Sequence, residues 1–93
     1  MENDNKIIIT VSGQDKVGIV AKISNLLAQY NVNIEDIKQT IMQDNFCMMM
    51  LCDIEKLEVS FKEFKDAMMA LGEELKMEIW VQKKDIFDKM HTV

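Results

Sequence analysis

Apolar and polar positions alternate along residues 6–12. Ile7, Ile9 and Val11 fall on one side and Ile8, Thr10 and Ser12 on the other, the period of a strand. From about Val17 to Tyr30 the period lengthens. Ile19, Val20, Ile23, Leu26 and Leu27 share a helical stripe, while Lys22, Ser24, Asn25 and Gln29 face away. Asp15 is placed to cap this helix or to stand one residue outside the cap, and Tyr30-Asn31 to close it. Residues 32–44 alternate again, but out of phase: Val32 and Ile34 have one parity, Ile37 and Ile41 the other. An extra residue at Glu35-Asp36 restores the alternation, which predicts a bulge or a bend there.

Gln43-Asp44-Asn45 reads as a tight polar turn joining that strand to the next in a hairpin. Residues 46–54 are apolar on both sides, as in an interior strand. Ser60 and Glu63 form a capping box that starts a second helix, with Phe61, Phe64, Met68, Leu71 and Leu75 at three–four spacing. Gly72 is expected to begin breaking it. Residues 76–83 place Met77, Ile79 and Val81 inward and Glu78, Trp80 and Gln82 outward. Ile86, Phe87 and Met90 have the spacing of a short terminal helix.

The order strand–helix–strand–strand–helix–strand is that of the split βαβ motif. The expected fold is α+β and ferredoxin-like, βαββαβ. Its four-stranded antiparallel sheet has chain-order strands 4-1-3-2 and both helices on one face. Residues 1–93 form one domain, with a core over about 6–83 and a tail over 84–93.

Two helices cover one face of such a sheet. The other face should be polar, yet Ile8, Trp80 and one parity of residues 46–54 point that way, and an exposed apolar patch marks an interface. Self-association follows as an expectation, a dimer first, with Ile8 and Trp80 in the contact. Stacking through this face and pairing through the edge strand at 32–44 both satisfy the pattern. A plainer reading has Phe87 of the tail shielding Trp80.

Composition narrows the chemistry. With 48% apolar and 29% charged residues the 93-residue chain can bury a core and stay soluble. A net charge of −5 argues against nucleic acid, and no apolar run reaches the length of a membrane helix. The acidic, polar N-terminus is unlike a secretory leader, so the cytoplasm is the expected compartment. Cys47 and Cys52, on opposite faces of one strand and roughly 16–17 Å apart, cannot bond to each other. No serine has a histidine base within the pattern, since His91 stands in the tail, and no metal-ligand cluster is present. No catalytic residue, metal or cofactor is therefore assigned. The nine methionines sit mainly in strands or on apolar stripes and read as core filling.

The turn at residues 13–18 carries two glycines and Asp15. Structurally, Gly13 permits a positive φ, Asp15 caps, and Gly18 lets the helix approach the sheet. Functionally, the amides heading the helix can hold a carboxylate.

Ser-Gly-Gln-Asp-Lys-Val-Gly-Ile-Val-Ala from Ser12, with Asn-Val-Asn-Ile-Glu-Asp-Ile from Asn31, resembles the ACT domain over about residues 6–83. The likeness is greatest to stand-alone members called UPF0237. It extends to the ACT modules of the glycine cleavage system transcriptional repressor and of formyltetrahydrofolate deformylase. The resemblance implies a non-catalytic regulatory module that binds a small molecule, usually an amino acid, where two copies meet. The implied contacts are Asp15, Lys16, Val17, Gly18 and Ile19 in the turn, with Asn33 and Ile34 across from it. Classical members carry an effector domain on the same chain. These residues hold none, so the implied message passes to another protein; a ligand-free interaction module is the alternative.

Overall fold

The computed structural model describes residues 5–14 and 16–90, without the side chain of Met42. Its elements run β1 (Lys6–Gln14), α1 (Ile19–Gln29), β2 (Asn33–Met42), β3 (Asn45–Asp53), α2 (Phe61–Leu75), β4 (Glu78–Lys83) and α3 (Lys84–Met90). The four strands form one antiparallel sheet in the order β2-β3-β1-β4, the expected order read from its other edge. Among the described residues no helix is long and apolar enough to cross a membrane.

Alternation decides which residues make the core. Ile7, Ile9 and Val11 of β1, Met48, Met50 and Cys52 of β3, and Ile79 and Val81 of β4 are buried beneath the helices. Ile19, Ile23 and Leu27 of α1 and Phe64 and Met68 of α2 bury the matching stripes from above. Edge-to-face packing of Tyr30 on Phe64, with ring centroids 5.8 Å apart, ties the two helices together. Core filling accounts for Met48, Met50, Met68 and Met77, whereas Met49, Met69 and Met90 are exposed.

The bulge falls where the phase slip predicts. Asn33 and Ile34 pair with Asp53 and Cys52, and Asp36 with Leu51, so Glu35 is the extra residue. Its carboxylate pairs with the Lys6 ammonium, which also bonds Asp53 at 3.1 Å. Ser60 Oγ accepts the Glu63 amide at 3.0 Å and caps α2. Asn31, at φ 60, takes the left-handed position that closes α1.

Three local expectations change. The N-cap of α1 is Gly18, not a residue at or near Asp15, which itself lies outside the described residues. Gly72 does not break α2. It is buried inside the helix, where a Cβ would stand 2.9 Å from the Met77 carbonyl oxygen, so it permits close approach to β4. Of the two turn glycines, Gly13 has the positive φ expected of it, 154°, whereas Gly18 does not give the close approach expected of it. A Cβ at Gly13 would in addition stand 2.7 Å from Met77 Sδ, the flexible end of that side chain. Gly18 has open space around it and is required by its φ of 88°.

The terminal helix lies on the far face of the sheet. α3 packs on β1 and β4, and Gln82 Nε2 donates to Met90 Sδ at 3.3 Å from the side away from α1 and α2. Ile8, on that same side, is only 8% exposed, while Trp80 is 60% exposed. Coverage by α3 thus removes Ile8 from the surface and leaves Trp80 on it. His91 and the last two residues lie outside the described part.

Candidate functional site

The chain leaves β1 at Gln14 and enters α1 through Gly18. Lys16 reaches across this junction, its ammonium donating to the Leu75 carbonyl at 2.7 Å, on the last turn of α2. A cation at a helix C-terminus is favourably placed, so Lys16 braces the turn as well as bordering it. Val17 is fully exposed, an apolar side chain touching nothing that would bury it. Gly18 has no side chain to cap the helix, and the first turn of α1 carries no acidic residue. Ile19 is buried, so only its amide can face outward. The described part of the turn is a helix head with its backbone presented to solvent.

Asn33 and Ile34 stand elsewhere. Asn33 pairs with Asp53, which pairs with Lys6, the first residue of β1. The turn follows the last residue of β1, so the length of that strand, roughly 26 Å, separates the two groups. Ile34 is half-buried against the core opposite Cys52. Within one chain these residues do not meet.

Asn33 instead lines an open cavity of about 460 Å³ at the base of the sheet, with Asn31, Asp53, Glu55 and Lys56. Asp53 Oδ1 accepts the Glu55 amide at 2.8 Å and Oδ2 the Lys6 ammonium, and these bonds, the first foremost, hold its carboxyl below the usual range. The Lys6 ammonium is held above its ordinary value, first by the Glu35 carboxylate and then by Asp53. Asn31 donates to Glu58 at 3.1 Å. No local pattern marks Glu55 and Lys56, because their neighbourhood to Asn33 arises only when β3 folds beside β2.

Both thiols are free. Cys47 is exposed on the far face, and burial pushes the Cys52 thiol up to about 12, with the Glu35 charge adding to it.

A single sheet, two helices on one face and a glycine turn heading the first helix define a small ferredoxin-like α+β domain. The ACT domain family model matches residues 5–82, and the chain belongs to that family. Its members are regulatory modules, many of them binding amino acids. A UPF0237 protein from Listeria innocua is 48% identical over 88 residues, covering 95% of this chain and 99% of that one. An ACT domain protein from Streptococcus pneumoniae superposes with a TM-score of 0.78 at 37% identity, over 89% of this chain and 93% of that one. A formyltetrahydrofolate deformylase from Pseudomonas syringae matches at 26% identity and a TM-score of 0.77. There 84% of this chain corresponds to 27% of the larger one.

Proposed function

We propose that this protein is a cytoplasmic, non-catalytic sensor that binds a small molecule, an amino acid, between two copies of the chain. The observation that carries the reading is the helix head at Val17 and Gly18, whose exposed backbone is free of packing. Amides there suit a carboxylate, and the Asn33 amide, able to donate and accept, suits the remainder of an amino acid. Asp15 would take its ammonium.

The distance between the two residue groups supports a shared site. Edge strand β2 exposes Ile37 and Ile41 on its helix-side face. Antiparallel pairing of two β2 edges about Gln39 sets Ile37 opposite the partner's Ile41. It also brings the Asn33 end of one sheet to the turn end of the other. A ligand bound there favours the paired state only by its unequal affinity for the two states, and that difference is the signal.

A thermal-shift screen against the twenty amino acids and common metabolites tests this. A ligand at ~100 times its Kd adds about 2.7 kcal/mol of stability. Asn33→Ala, at an exposed side chain, is expected to abolish the shift and leave the unliganded melting point unchanged. A screen in which no compound acts, or a variant responding like wild type, removes the assignment and leaves the ligand-free interaction module.

A further inference from the structure

The far face of the sheet is divided into unlike halves. Its β1–β4 half carries α3. The β2–β3 half carries no element of the described chain. There Asp36, Lys38, Cys47 and Met49 are exposed, and Ile8, Met49, Met50 and Leu51 floor a pit of about 210 Å³ whose rim is Asp36 and Lys38. α3 turns a short apolar stripe to solvent. Ile86 and Met90, one helical turn apart, are 53% and 63% exposed, and exposed Asp85 and Lys89 flank them.

These two surfaces match. We propose that α3 of a second copy seats Ile86 and Met90 in the pit, each copy giving its helix and receiving the other's. Asp85 and Lys89 lie ~6 Å apart along the helix axis, four residues at 1.5 Å each. Asp36 and Lys38 lie ~6.6 Å apart along the strand. Each surface therefore presents one charge of each sign at nearly the same spacing, Asp85 against the partner's Lys38 and Lys89 against the partner's Asp36. None of the four has an ion-pair partner among the described residues. Knob and pit on the same face make the contact isologous, so two copies close it and no further chain is recruited. Trp80, beside α3 on this face, is enclosed at its border.

This contact uses the far-face side chains Asp36 and Lys38 of β2 but neither the turn nor the backbone edge of that strand, so it stands or falls apart from the ligand reading. Sedimentation velocity of the full chain without ligand, over a concentration series, tests it. Lys38→Asp and Asp85→Lys are each expected to raise the dimer Kd at least tenfold, and Met90→Ser likewise. The variant carrying both charge reversals recovers most of the loss. All three side chains are exposed, and unchanged melting curves will show the variants folded. A wild type that stays monomeric overturns the proposal. So does a dimer indifferent to Asp85→Lys and Met90→Ser but dissolved by Ile41→Lys, or a double reversal no better than its parts.

Discussion

Gly13 and Gly18 show how much a residue's surroundings decide. The sequence marks both as turn glycines, with a positive φ expected at Gly13 and a close approach at Gly18. Gly13 lies against Met77, which is sixty-four positions later and invisible to any local pattern. Gly18 lies against nothing and needs only its left-handed φ. Gly13→Ala is expected to cost about 1–3 kcal/mol through its positive φ together with crowding against Met77. A double-mutant cycle with Met77→Ala, followed by urea denaturation, will show coupling above ~0.5 kcal/mol. Gly18→Ala will cost about 1–2 kcal/mol from backbone conformation alone. It will show no coupling to Met77. Among the site residues, the partner of Lys16 is one that no spacing rule announces, whereas the helical stripe and the strand parity announce the burial of Ile19 and Ile34, and a turn tip implies the exposure of Val17.

At the scale of elements, parity carried most of the information. The slip between Ile34 and Ile37 located the extra residue of β2, and the Ser60–Glu63 spacing located the start of α2. Removing Glu35 should therefore be mild. Ile34, Ile37 and Ile41 keep their face, and the part-exposed pair with Lys6, screened by solvent, contributes little. Deleting Gln39 instead turns Ile41 to the opposite face, since each strand residue lost inverts all that follow within the element. Chemical denaturation of the two deletion variants is expected to rank the second as clearly less stable. The start of α1 was less legible, because an acidic residue near a helix head suggests a cap and only the three-dimensional path shows that Gly18 takes the position. The helical spacing of residues 86–90 named α3 without its docking face. That face depends on a chain reversal directly after Lys83.

For the whole molecule, the fold was nearly complete in the sequence and the site was not. Strand order, the one-sided cover of two helices and the apolar far face follow from periodicity and topology. The cavity beside Asn33 and the burial of Ile8 required tertiary placement. A global property follows from the deepest thiol. Cys52 holds its proton to about pH 12 in the folded chain against an ordinary value of 9.0. The unfolded state therefore loses that proton first as pH rises. Its contribution to stability is full below pH 9 and declines through the window from 9 to about 12, by up to ~1.4 kcal/mol per pH unit. Denaturation curves between pH 8 and 11 are expected to show this decline, and Cys52→Ala to flatten it relative to wild type.

The same strand also gives the molecule a means of keeping its own time. Cys47 meets solvent in every folded copy, while Cys52, five residues on and facing the other way, has none of its surface in water. A thiol reagent counts one group while the core is shut and two only once the cover over the helix-side face of β3 has lifted. The delay between the first and second mark is thus a clock for opening at the centre of the domain, built from residues already present.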